Sequence, residues 1–265
     1  MWERCCVPSL LHGAGTWVEI TPATVKQLNA TQQWYWRLIY QVGPGAPLAS
    51  LAWDQTCLDM GVRVMEQKVL LALHLRHLDE ESLAHKVYME QLAMGWPGLA
   101  CEVGDICREF GIEDVNTTKY SKHDYKKILS MACHAKNEVL LRKMAEGKEK
   151  CSRMANEAYG QKYYLEEKSI LDVRNIYRSR FGQRAFAGNF SHDNKYSKTN
   201  WMCKCENSKE KEKHITSYDC PVYSDIRAKY QDFDRDEDLV SYFNEVLERR
   251  DMIDSMEKDE KDFYG

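Results

Sequence analysis

The stretch CKCENSKEKEKHITSYDC, residues 203–220, constrains this chain more than any other. Two cysteines stand one residue apart, a histidine follows after eight residues, and a third cysteine after five more. The spacer ENSKEKEK holds no apolar side chain, so without a metal the segment is expected to have no core of its own. Three thiolates and one imidazole are a set that Zn²⁺ takes in closed structural sites, at ~2.3 Å for sulfur and ~2.0 Å for nitrogen. Cys203, Cys205, His214 and Cys220 are therefore the expected ligands of one structural zinc. The plain alternative is three incidental thiols in a charged loop, and the C-x-C pair is tighter than the usual gap of about two to four residues. Low apolar content around the cysteines gives packing no reason to place them there.

Upstream, the sequence reads as helices without a strand pattern. Thr21-Pro22 is an N-cap and first helical residue, opening a helix over 21–42 that should be well buried, since Val25, Leu28, Trp34, Trp36, Leu38 and Ile39 cover much of its surface. The pattern gives further helices over 48–58, 62–78, 79–93, 99–110 and 122–144. Gly111 sits at the C′ position of the fifth, and Ser121 with Asp124 forms the capping box of the sixth. More polar helices are expected over 148–165 and 169–181, a loop over 182–200, and an amphipathic helix over 236–254 before a fraying end. The fold class is all-α. The expected organisation is an N-terminal remnant at 1–20, a helical bundle at 21–146 and a basic aromatic connector at 147–200. A Cys/His knuckle at 201–224 and an acidic helix and tail at 225–265 complete it.

At 265 residues, 43% hydrophobic and 29% charged, the chain is long enough and ordinary enough to bury a proper core. Its ten cysteines fit thiols in a reducing intracellular compartment, cytoplasm or nucleus. Residues 1–17 lack a basic segment leading into a long apolar run, so no secretory signal is read there. The run VLLALHL is too short for the ~20 residues that a membrane span needs, so no membrane partner is expected.

The net charge of −4 hides an uneven distribution. Residues 174–213 carry ten Lys/Arg against four acids, and residues 219–265 carry fifteen acids against seven bases. Cations neutralise phosphates, and exposed aromatic faces stack on bases. Arg174, Arg178, Arg180, Arg184, Lys195, Lys198 and Trp201 are the expected contacts to RNA or DNA. Arg174 and Arg178 are four apart on one helix face, and Tyr177 and Phe181 share another. The alternative is a solvated cationic rim around a local aromatic core. The acidic tail is a possible docking point for a protein partner.

Other pairings carry less. His74 and His77 share a helix face without a third ligand, and Cys133-His134 lacks an orienting group for nucleophilic chemistry. Cys5-Cys6 reads as flexible terminus rather than redox site. No phosphate-cradling glycine loop, HExxH or GxSxG occurs in the chain.

Taken in order, SLLHGAGTWVEI, LNATQQWYWRLI, GPGAPLASLAWD, LDMGVRVMEQKVLLALHLRHLD, WPGLA, RFGQRAFAGNFS and the closing CKC…H…CPVYSDIRAKY resemble the C-terminal portion of LINE-type (non-LTR) retrotransposon reverse transcriptases. The resemblance runs from about residue 10 to about 250. It implies a helical thumb-like bundle closing with a Cys/His knuckle, carried residue by residue onto Cys203, Cys205, His214 and Cys220. It implies template RNA or target DNA as the partner. The family's Tyr/Phe-Ala-Asp-Asp box, whose aspartates hold the two catalytic metal ions, is absent from this sequence, as is its endonuclease. The expectation is a nucleic-acid-binding fragment without polymerase activity. The alternative is a non-catalytic helical interaction module stapled by zinc.

Overall fold

In a computed structural model, which describes residues 2–18, 20–42, 46–148, 151, 154, 157–160, 169–180, 203–205, 212–216, 220–230 and 235–264, every regular element is helical. The all-α expectation holds. A π-helical turn at Trp2–Cys6 leads into α1 (Val7–Leu10) and a 3₁₀ turn at Ala14–Thr16. There follow α2 (Pro22–Tyr40), α3 (Leu48–Trp53), α4 (Met60–Arg76), α5 (Leu83–Met94), α6 (Leu99–Phe110) and α7 (Lys122–Ala145). The last are α8 (Ile170–Arg180), α9 (Glu212–Thr216), α10 (Ser224–Arg227) and α11 (Asp236–Tyr264). The chain divides into two compact units. One comprises Met1–Tyr35, Leu51–Gly147 and Ala158–Gln161; the other comprises Trp36–Ser50, Lys148–Glu157 and Lys162–Gly265.

The first unit is built around α4. Asp59 caps it, its carboxylate accepting from the Gly61 amide at 2.8 Å. Val62, Val69, Ala72 and Leu73 then bury against Tyr88 of α5, Val103, Ile106 and Cys107 of α6, and Tyr125, Leu129 and Cys133 of α7. The 3₁₀ turn at Ala14–Thr16 lies on the same helix: a Cβ at Gly15 would sit 3.0 Å from the Gln67 carbonyl oxygen and the Leu71 Cβ. The close approach leaves room for glycine alone. Gly111 adopts φ +68 and ends α6 as the sequence predicts. Ser121 Oγ accepts from the Asp124 amide at 3.2 Å, fixing the start of α7.

Several expectations change here. The N-terminal residues pack as part of the unit: Trp2 is buried, its ring 4.7 Å from that of Tyr35, and Glu3 pairs with Arg63. Trp34 and Leu38 of α2 are 64% and 58% exposed, because the row that faces inward is Gln32, Trp36 and Tyr40, one helical turn apart. The second helix stops at Trp53 rather than near 58, where Thr56 turns the chain with φ +50. Asp79 holds a turn before α5, accepting from the Glu81 amide at 2.8 Å, instead of opening the helix. No helix continues across 157–160. Tyr159 there turns inward, its hydroxyl accepting from Asn137 Nδ2 at 2.7 Å and its ring lying 5.1 Å from that of Trp53. Asn137 also donates to the Cys57 carbonyl and accepts from the Asp59 amide, so three backbone and side-chain groups converge on one buried amide.

In the second unit α8 packs against α11. Ser169 caps α8, accepting from the Asp172 amide at 3.3 Å. Tyr177 stacks on Tyr40 with centroids 3.9 Å apart, and its hydroxyl lies 2.9 Å from Ser50 Oγ. The C-terminal helix runs to Tyr264, past the expected fraying point. The expected loop at 182–200 lies outside the described residues.

Candidate metal centre and the arginines of α8

The four expected ligands come together. Cys203 and Cys205 flank a tight turn, His214 rides on α9, and Cys220 precedes the 3₁₀ turn at Pro221–Tyr223, whose proline sets the backbone angle. Cys203 Sγ lies 3.6 Å from Cys220 Sγ, and Cys205 Sγ lies 3.1 Å from His214 Nε2. All four donor atoms fall within 4.8 Å of one another. A tetrahedron with the bond lengths of zinc has edges of about 3.8 Å between sulfurs and about 3.5 Å between sulfur and nitrogen. The set can hold one metal ion, and with four protein donors it leaves no open position for a substrate or an activated water. The incidental-thiol alternative has no account of this convergence.

Cys203 and Cys220 are buried, while Cys205 and His214 are half-buried. Burial pushes the Cys203 and Cys220 thiols up, and backbone amides of Cys205 and Val222 act in the opposite sense on them. A metal ion must therefore displace protons that the fold holds on these sulfurs. The site also has a supporting core. Cys203 and Cys220 bury with Ile215, Tyr223 and Ile226 against Leu239, Tyr242, Phe243 and Val246 of α11. Those four residues of α11 are spaced to form one face. Arg227 Nη2 donates to the Cys220 carbonyl at 2.6 Å, and Tyr242 Oη donates to that of Ile215 at 2.6 Å. The knuckle and the acidic helix share one core, so the segment, expected to have no core of its own, packs on one that α11 supplies.

The arginines expected to contact nucleic acid on α8 make hydrogen bonds and ion pairs within the fold. Arg174 Nε donates to the Ile39 carbonyl at 2.6 Å. Arg178 donates from Nε to the Tyr40 carbonyl at 3.1 Å and from Nη2 to that of Gln41 at 2.9 Å. Both satisfy carbonyls at the end of α2, where the helix has no backbone donors left for them and carries its negative dipole end. Burial holds the Arg178 guanidinium below its ordinary pKa, and Arg174 acts in the same direction. Arg180 is committed further: its side chain is 5% exposed and binds both Asp236 oxygens at 3.0 Å, with Glu157 as a second partner. Tyr177 is buried in its stack on Tyr40 and presents no face to a base. Sequence alone gave no sign of these partners, because they lie over a hundred residues away for Arg174 and Arg178. Arg184, Lys195, Lys198 and Trp201 lie outside the described residues.

The weaker pairings stay weak. His77 Nδ1 lies 2.8 Å from the carbonyl of Leu73 on its own helix. The Cys133 thiol is buried and pushed up to about 12 by burial, next by the Glu66 carboxylate, which keeps it protonated and unreactive. No protein-family model, no curated protein and no solved structure matches this chain.

Proposed function

We propose that this chain is a non-catalytic, zinc-stapled helical module that binds nucleic acid, in the manner its resemblance to the C-terminal portion of non-LTR retrotransposon reverse transcriptases implies. The observation that carries this reading is the convergence of Cys203, Cys205, His214 and Cys220 within 4.8 Å on a shared hydrophobic core. Zn²⁺ fits because thiolates and imidazole in a tetrahedral set select it, and a four-donor site serves structure rather than turnover. The sequence carries no Tyr/Phe-Ala-Asp-Asp box, so primer extension is not expected of it. All ten cysteines are free thiols, which suits a reducing cytoplasm or nucleus. No described helix is long and apolar enough to cross a membrane.

Template RNA or target DNA is the proposed ligand. Binding of a fluorescent single-stranded RNA and a DNA duplex, titrated against salt, tests it. Phosphate contacts give a steep linear fall of log affinity with log salt. Absence of binding at low salt overturns the reading. It would favour the second one, a protein-interaction module, for which α5 supplies a specific observation: Leu83, Val87 and Met94 form an exposed row at 77%, 46% and 61%, with Trp96 at 53% beyond it.

A further inference from the structure

The arginines of α8 bond within the fold, whereas another group of cations does not. Lys119, Lys122, Lys126 and Lys127 lie at the start of α7 and in the turn before it, with His123 between them. None of the four lysines makes an ion pair or hydrogen bond among the described residues. Several other surface cations of this unit are paired, Lys86 with Glu81, Arg108 with Asp105, Lys136 with Glu109 and Arg142 with Glu138, and the exposed cations without such a partner, Arg4, Lys26 and Lys143, stand apart in sequence rather than in a group. Lys122 and Lys126 are one turn apart, about 6 Å along the axis, and His123 and Lys127 form the adjacent row. Tyr125, at the buried side of this turn, fixes the lysine rows outward.

The acids nearby make hydrogen bonds within the turn and the helix cap, and none of them pairs with these lysines. Asp124 Oδ2 accepts from Ser121 Oγ at 2.6 Å, Asp114 Oδ1 accepts from the Asn116 amide at 2.9 Å, and Glu113 accepts from Thr118 Oγ1 at 3.3 Å. Beside the lysines stands Tyr120, 50% exposed. In a chain of net charge −4, a four-lysine cluster with an exposed ring is a local reversal of sign.

We propose that Lys119, Lys122, Lys126 and Lys127 form a phosphate-contacting surface for nucleic acid, with Tyr120 stacking on a base of a single strand. The proposal rests on the nucleic-acid reading above and gives it a location. A row of unpaired ammonium groups matches a polyanion whose charges repeat along a strand. A protein acidic patch would leave Tyr120 without a flat partner, whereas any base offers one. An anionic membrane would want several exposed apolar side chains here, and the flanking Thr117, Thr118 and Ser121 are polar.

The test uses the full chain with a single-stranded oligonucleotide and a duplex across a salt series. Changing the four lysines together to Gln, in a protein whose circular dichroism is unchanged, should make the log–log slope on duplex shallower by about three to four, ~0.9 per lost contact. Tyr120→Ala should weaken single-strand binding roughly five- to hundredfold and leave the slope alone. If the parent binds no nucleic acid, the function proposed above fails and this surface with it. If the parent binds and the four-lysine variant keeps its slope and affinity, this surface is wrong and the general reading stands. Lysine-dependent sedimentation with phosphatidylserine vesicles, with nucleic-acid binding unchanged in the variant, would also overturn it in favour of a lipid headgroup surface.

Discussion

Tyr242 of α11 donates its hydroxyl to the carbonyl of Ile215, 2.6 Å away and one residue beyond the metal ligand His214. The bond lies inside the core that also buries Cys203 and Cys220. The order of the Cys/His segment and that of the C-terminal helix are therefore one property. Tyr242→Phe removes the donor and leaves a buried carbonyl without its partner, at a cost of about 1–3 kcal/mol. Tyr242→Ala adds the cavity and should cost about 3–5 kcal/mol. Both variants should release metal to a chelator faster than the parent, in that order. Equal release rates in all three proteins would show that the site is independent of α11.

The arginines of α8 give a contrasting pair of outcomes. Arg180→Met removes the guanidinium that pairs with the buried Asp236 carboxylate and should destabilise the second unit by about 3–5 kcal/mol. Replacing Arg174 and Arg178 together by Ala removes hydrogen bonds to the end of α2 and should cost about 2 kcal/mol. Neither change should alter the salt dependence of nucleic-acid binding, measured where the proteins remain folded. A shallower slope in the Arg174/Arg178 variant would return these residues to the binding surface.

Much of this architecture is legible in the sequence, and the reasons differ by element. Caps and stops act locally, so Ser121 with Asp124, Gly111 and the Ser169 start of α8 can be read from a few residues. The ligand set is legible because metal coordination demands particular atoms at short spacing. What fails is whatever depends on a distant partner. Trp34 and Leu38 read as core because their chemistry is apolar, but the neighbours that would cover them are not in the local pattern. Arg174, Arg178 and Arg180 read as surface cations because sequence does not show the carbonyls and carboxylates waiting for them. Tyr159 breaks a helical pattern because Asn137 and Trp53 capture it. The lysines at 119–127 pass unnoticed because the capping box accounts for the same stretch.

A pH dependence follows from the core of the first unit. Cys133 has a thiol pushed up to about 12 by burial, against 9.0 for an ordinary thiol. Between those values the unfolded chain gives up the proton and the folded one keeps it. Stability is full below about pH 9 and falls as pH rises toward 12, by about 1.4 kcal/mol per pH unit from this group. Urea unfolding from about pH 8 to about pH 11 should show the decline, and Cys133→Ala should make it shallower. Parallel curves for parent and variant would mean that Cys133 ionises in the folded protein near its ordinary value.

The most direct test of the account is the metal content of the intact protein. Native mass spectrometry of the parent should show one zinc per chain, and Cys220→Ser should lose it, together with amide-exchange protection in residues 212–216 and 220–230 and at Leu239–Val246 of α11, while the α4–α7 core keeps its protection. A metal-free parent whose Cys/His segment and α11 are as protected as in the zinc-loaded protein would contradict it.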